Sequence, residues 1–195
     1  MHVRPLLMSL RGYLAMEAAE TEHRHEYWDG DCWAMTGTTP AHNTLLFVLR
    51  SALHPQLSGG QCLAFQENIR TRVSKTRYVY PDLVIACPPE FDQGTQPPTL
   101  LNPKVVVEIL SPSTADFDRG AKLRAYYALD TVAEVVLVEP DVPEIQHHRR
   151  QADGSWLVRT LGPGATLELP SVGARLSMDA LYAEVAAEQA RGGLA

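Results

Sequence analysis

Apolar positions fall along the chain in two rhythms, one at helical spacings of three and four and one in short strand-like runs. Their order predicts the elements. Ser9 is placed to cap a first helix with Leu10, Leu14 and Ala18 on its inner face. Asp29-Gly30 predicts a two-residue hairpin turn. Thr38-Thr39-Pro40 opens a second helix, to which Leu45, Leu46, Val48, Leu49 and Leu53 give a wide apolar face. Residues 63–73 alternate loosely and predict one strand. Buried strands are expected at 82–87 and 104–110, separated by a Pro- and Gly-rich surface loop from Pro88 to Pro103. Ser111-Pro112-Ser113-Thr114 signals a helix start, with the helix itself from Phe117 to Leu129. A strand from Glu134 to Val138, a hairpin around Asp153-Gly154 and a last helix capped by Ser177, with Leu181, Val185 and Ala186 inward, complete the pattern. The order predicts a single domain over residues 1–195 of α/β class, an α+β mixed sheet flanked by helices, with a tail that frays from about residue 191.

Composition changes this picture in two places. The 17 Lys and Arg against 23 Asp and Glu give a net charge of −6, which excludes non-specific coating of nucleic acid but not a local basic groove. The three cysteines, Cys32, Cys62 and Cys87, form no CxxC pair, so neither a zinc site nor a disulfide framework is expected. The first twenty residues hold only the short Leu6-Leu7-Met8 apolar cluster and suit neither a signal peptide nor a membrane span. A reduced, cytoplasmic protein without membrane contact is the expectation.

Two of the predicted strands carry a carboxylate beside a β-branched apolar run: Asp82 at the start of Tyr80-Pro81-Asp82-Leu83-Val84-Ile85-Ala86, and Glu108 near the end of Lys104-Val105-Val106-Val107-Glu108-Ile109-Leu110-Ser111. An unpaired buried charge costs several kcal/mol, so each needs a partner. Together they could share a divalent cation; apart, each could cap a turn or pair with an arginine. On the following helix Asp118, Lys122 and Tyr126 stand at i, i+4 and i+8, along one stripe. Lys122 could point back to Glu108 and stabilise charge on a phosphoryl oxygen, or simply form an exposed ion pair with Asp118.

The ordered set Tyr80-Pro81-Asp82-Leu83-Val84-Ile85, Val106 to Thr114, Asp118-Arg119-Gly120-Ala121-Lys122 and Tyr126 resembles the Uma-two family of restriction endonucleases, within the PD-(D/E)xK nuclease superfamily. His25 to Asp31, His42 and the Glu134–Arg150 region extend the likeness. The resemblance implies a restriction-endonuclease-like core preceded by a helix and hairpin. It makes Asp82 and Glu108 metal-binding carboxylates, with the Ile109 carbonyl as a further ligand, Lys122 the catalytic lysine and Glu26 an added acidic residue. His42, Asp118 and Tyr126 become accessory positions. In the superfamily the lysine stands two positions after the second acid; here Leu110 occupies that place, and the resemblance moves the role to Lys122. The implied activity is Mg²⁺-dependent hydrolysis of phosphodiester bonds in DNA, with Mn²⁺ as a substitute and a homodimer to cut both strands.

Arg70, Arg72, Lys75 and Arg77 could line a phosphate-facing rim or form a solvated strand end. The Pro88–Pro103 loop is the expected substrate flap. His23 and His25 fit a surface hairpin better than a transition-metal site. His147 and His148, adjacent on a strand, face opposite ways; with Arg149 and Arg150 they could touch phosphates or keep an edge strand soluble. Ser111 and Ser113 suit helix caps rather than nucleophiles. Two rivals stand beside the nuclease: a catalytically silent nuclease-fold module that binds nucleic acid or protein, and a metal-dependent hydrolase of another phosphoester. The latter would have a closed pocket in place of an open, positively lined groove.

Overall fold

The computed structural model describes residues 7–35 and 38–190. The tail expected to fray from residue 191 lies outside them. In chain order the elements are α1 (Leu10–Ala19), β1 (His25–Trp28), β2 (Asp31–Ala34), α2 (Pro40–Leu57), β3 (Leu63–Gln66), β4 (Thr71–Ser74), β5 (Arg77–Val79), β6 (Leu83–Ala86), β7 (Phe91–Asp92), β8 (Thr99–Leu100) and β9 (Val105–Ile109). A helical segment follows in three parts: α3 (Ala115–Phe117), a π-helical turn (Asp118–Lys122) and α4 (Leu123–Tyr127). Then come β10 (Glu134–Val138), β11 (Ile145–Arg150), β12 (Trp156–Leu161), β13 (Thr166–Leu169), β14 (Ala174–Ser177) and α5 (Met178–Ala190).

The β-branched runs make the central sheet, ordered β12-β11-β10-β9-β6-β3. β9 and β10 run parallel, joined across the 115–127 helical segment, and the other pairs are antiparallel. Side chains alternate across such a strand. Leu83, Ile85, Val105, Val107 and Ile109 therefore pack with α2, α5 and the β13–β14 hairpin on one face. Val84, Ala86 and Val106 pack with Ala125 and Tyr126 on the other. On α2, Thr39 caps the N-terminus and Pro40 follows it, while Leu45, Leu46, Leu49 and Leu53 are buried. Each such leucine contributes about 1.5–3 kcal/mol by leaving water.

The structure divides what was expected as one mixed sheet. A second sheet, β2-β1-β5-β4-β8-β7, packs beside the first, and β13–β14 forms a separate hairpin. The division occurs inside the single strand expected over 63–73, where Glu67 and Asn68 take positive φ values of 40° and 51° and turn the chain out of β3. The Pro88–Pro103 segment is likewise more than a loop. It places β7 and β8 at an edge of the second sheet, and Thr99 and Leu100 are buried. Asp29 and Gly30 do adopt the positive-φ turn expected between β1 and β2.

Three local expectations are corrected. Tyr13 and Glu17 form the buried face of α1, and Ala18 is exposed; Ala186 on α5 is exposed too. β11 is an inner strand, and its polar residues serve the fold. His147 Nε2 lies 2.6 Å from buried Glu134, His148 bonds the Tyr127 hydroxyl, and Arg150 donates to the carbonyls of Tyr127, Leu129 and Val132. Cys62 and Cys87 form a disulfide, because the Leu63↔Ala86 register of β3 and β6 brings their flanking residues together. No helix among the described residues is long and apolar enough to cross a membrane.

Candidate active site

Asp82 immediately precedes β6 and Glu108 sits on β9. These strands pair with Leu83 opposite Val107, so one more step of the register sets Asp82 against Glu108. Both belong to the face of Val84 and Val106, which the helical segment covers. The Ile109 N–H donates to Asp82 Oδ2 at 2.7 Å, which fixes this carboxyl group on the β9 backbone. His42, in the first turn of α2, brings Nε2 to 3.2 Å from Asp82 Oδ1. That is close enough for attraction, but the nitrogen is off the line of a hydrogen bond and has no hydrogen-bond partner although buried.

The π-helical turn widens the helical segment by one residue where it crosses Glu108, and it carries Asp118 and Lys122 into the interior. Lys122 Nζ lies 3.0 Å from Glu26 Oε1, 3.0 Å from Glu108 Oε1 and 3.3 Å from Asp118 Oδ1. One turn later the Tyr126 hydroxyl donates to Glu108 Oε1 at 2.5 Å. Glu26 reaches the centre from β1 and accepts from the Tyr80 N–H at 3.1 Å. The Tyr80 hydroxyl in turn donates to buried Glu17 of α1, which also bonds His25.

Burial decides the electrostatics of this cluster. It pushes the Glu108 carboxyl from 4.5 up to about 8, against the pull of Lys122 and with repulsion from Asp118, Asp82 and Glu26 added. Burial also works against the ammonium of Lys122, but Glu108, Glu26 and Asp118 outweigh it and hold the lysine well above its ordinary value. The Tyr126 phenol is raised well above its ordinary value by burial and by Glu108. Lys122 is thus a permanent cation among acidic side chains.

The cluster forms the floor of a cavity of about 580 Å³ that Glu26, His42, Asp82, Glu108, Asp118 and Lys122 all line. The cavity therefore unites Asp82, Glu108, Lys122, Glu26, His42 and Asp118, and Tyr126 supports it from behind. It does not include the four basic residues expected at a rim. Arg70 is fully buried, bonded to Thr99 and the Pro97 carbonyl, so it cannot meet a phosphate. Arg77 pairs with Asp29 and lies over Trp28, and neither Arg72 nor Lys75 lines the cavity. No residue of the Pro88–Pro103 segment does so either. His25 is committed to Glu17, while Ser111 bonds Ser113 and Thr114 instead of capping a helix backbone. Trp33 and Phe117, and Tyr80 from the Tyr80-Pro81-Asp82 motif, also line the cavity, and the sequence pointed to a site role for none of them.

Residues 10–180 match the family model Uma2, described as "Putative restriction endonuclease". The chain belongs to the Uma2 family. Two uncharacterized Synechocystis sp. proteins are similar over nearly their whole lengths. The first, slr1290, is 33% identical over 176 residues, covering 90% of this chain and 91% of its own. The second, sll1609, is 29% identical over 165 residues, covering 83% and 92%. A crystal structure from Anabaena variabilis described as "a putative nuclease belonging to DUF820" superposes with a TM-score of 0.64 at 20% identity, covering 84% of this chain and 92% of that one. That likeness shows a shared fold. The Uma2 match and the nuclease-like fold together support a nuclease, and the ordered motifs from Tyr80 to Tyr126 fall within the matched Uma2 region.

Proposed function

We propose that the chain is a Mg²⁺-dependent endonuclease that hydrolyses phosphodiester bonds in DNA. One observation carries the reading: Lys122, the carboxyl groups of Asp82 and Glu108, and a histidine nitrogen that makes no hydrogen bond converge on the floor of one cavity. Among the described residues no three His, Cys, Asp or Glu side chains close a metal cage. The donors are hard oxygens instead: Asp82, Glu108 and the Ile109 carbonyl. This set suits Mg²⁺, which binds through one or two carboxylates and keeps several waters, with Mn²⁺ as a substitute. When bound, the ion supplies positive charge and Lewis acidity at the scissile phosphate.

The protein's own groups do the rest. Tyr126 and the Ile109 N–H hold Glu108 and Asp82 in place. Lys122 stabilises the negative charge that develops on the phosphoryl oxygens. His42 Nε2 faces the same space without a hydrogen-bond partner and can orient a water or a phosphate oxygen. Glu26 and Asp118 fix the lysine. A silent binding module has no use for this cluster, whose desolvation costs several kcal/mol per ion before pairing offsets it.

One site per chain cuts one strand, so a homodimer is required only where both strands of a duplex are to be cut; the proposed setting is the cytoplasm. The scarcity of cations in the lining favours one rival, hydrolysis of another phosphoester in a closed pocket. The test incubates wild type and Asp82→Ala with supercoiled plasmid, linear single strands and a small aryl phosphodiester, in Mg²⁺, Mn²⁺ or chelator. DNA cleavage that needs the ion and Asp82 is expected. Cleavage surviving either loss, or turnover of the small diester alone, contradicts the proposal.

A further inference from the structure

The acidic floor explains the chemistry and leaves the cavity wall unexplained. Trp33, at the end of β2, and Phe117, where α3 meets the π-helical turn, stand edge to face with ring centres 5.3 Å apart at 89°. Trp28 braces Phe117 from another side at 5.0 Å. Trp33 and Phe117 are only partly buried, and both line the cavity, together with Pro112 and Pro140. A core role would have buried these rings; here part of their surface is open to the cavity.

The charge of the same lining points the same way. Glu26, Asp82, Glu108, Asp118 and Asp141 line the cavity, and among the described residues Lys122 is the one Lys or Arg that does. Its ammonium is already engaged by three carboxyl groups. An intact duplex is held through its phosphates, which takes several cations along the groove. Single strands also draw on cations along the backbone, but much of their hold comes from bases stacked on aromatic rings.

Resting on the nuclease reading above, we infer that the cavity receives one unstacked nucleotide, its base against the Trp33–Phe117 wall and its phosphate over the Glu108–Lys122 floor. The substrate class is therefore single-stranded or locally unpaired DNA rather than continuous duplex. The volume of about 580 Å³ suits a mononucleotide unit, lying within the roughly 300–1,000 Å³ of small-molecule pockets. Such a target needs one cut, so one copy of the chain suffices.

The test measures binding by fluorescence anisotropy, with Ca²⁺ replacing Mg²⁺ and at physiological ionic strength. The probes are a labelled single strand of about 20 nucleotides, longer than the roughly 4–16 that single-strand sites span, its duplex, and a base-free deoxyribose–phosphate strand of equal length. The single strand is expected to bind at least about tenfold tighter than the duplex. Phe117→Leu and Trp33→Leu should each weaken it by about 5- to 150-fold, the range of one base–aromatic stack. The base-free strand should show a similar loss on the unaltered protein. Equal or tighter duplex binding, or a base-free strand that binds as well as the normal one, overturns the inference. Ion-dependent plasmid cleavage with duplex preference would sink this inference and leave the nuclease reading standing. Base-dependent capture without hydrolysis in Mg²⁺ would do the reverse.

Discussion

Lys122 Nζ and Glu108 Oε1 stand 3.0 Å apart inside the protein, with the two side chains 6% and 4% exposed. Neither charge is tolerable there alone. Removing one partner of a buried pair costs about 3–5 kcal/mol, because the other is left uncompensated. Lys122→Met should therefore lower stability by about 3 kcal/mol in urea unfolding at pH 8.5, with a smaller loss at pH 6, where Glu108 can take up a proton instead.

The raised Glu108 carboxyl fixes a pH dependence for the metal-free protein. Its folded value, about 8, lies above its ordinary 4.5, so between those values the folded state holds a proton that the unfolded state has released. Stability from this group is full below about 4.5 and is lost as pH rises through 8. The slope is at most that of one proton, about 1.4 kcal/mol per pH unit. Glu108→Gln mimics the protonated form. It should flatten the slope in chelator across pH 5 to 9 while costing little stability at pH 6, and it should still abolish cleavage. An unchanged slope in Glu108→Gln would assign the dependence to other groups.

Tyr126 acts through Glu108. Its hydroxyl donates at 2.5 Å in a fully buried setting, and Tyr126→Phe leaves one carboxyl oxygen with a donor fewer. A loss of about 1–3 kcal/mol is expected, the cost of an unmade buried bond to a charged group. Because the phenyl ring remains, the fold should persist in circular dichroism, and the pH midpoint of cleavage should shift. A purely structural hydroxyl would leave that midpoint where it is.

His42 offers the opposite pattern. Its Nε2 makes no hydrogen bond, so its removal costs Asp82 only the attraction across 3.2 Å, while the Ile109 N–H still holds that carboxyl group. His42→Ala should change unfolding free energy by no more than about 1–2 kcal/mol, chiefly from lost packing, and yet reduce cleavage at least about 100-fold, the lower end for a positioned proton-handling group. Parallel denaturation and rate measurements check the split. A rate within twofold of wild type would remove His42 from the site.

Where the sequence could be read, the signal was local. The Asp29-Gly30 turn, the Thr39-Pro40 helix start and the leucine face of α2 each depend on neighbouring residues, and each is present. The i, i+4, i+8 stripe brought Asp118, Lys122 and Tyr126 to one place, and the ordered motifs supplied their partners on distant strands. What escaped depends on pairing between segments. The positive-φ residues Glu67 and Asn68 follow a run that alternates like any strand. Arg70 lies in a basic stretch that gives no sign of its burial under Tyr13. Cys62 and Cys87 become neighbours through the register of β3 and β6. The hairpin of β13 and β14 went unread although Thr166–Leu169 and Ala174–Ser177 alternate in burial, because each strand is four residues long.

The central claim is that the buried lysine works in catalysis rather than only holding the fold, and Lys122→Met tests it most directly. Its rate of phosphodiester cleavage in Mg²⁺, on whichever strand form the wild type cuts faster, should fall at least about 100-fold, the scale for one charge-stabilising donor, in a preparation whose unfolding transition stays cooperative. A folded Lys122→Met protein that cleaves within about threefold of wild type, well inside that scale, would contradict the account.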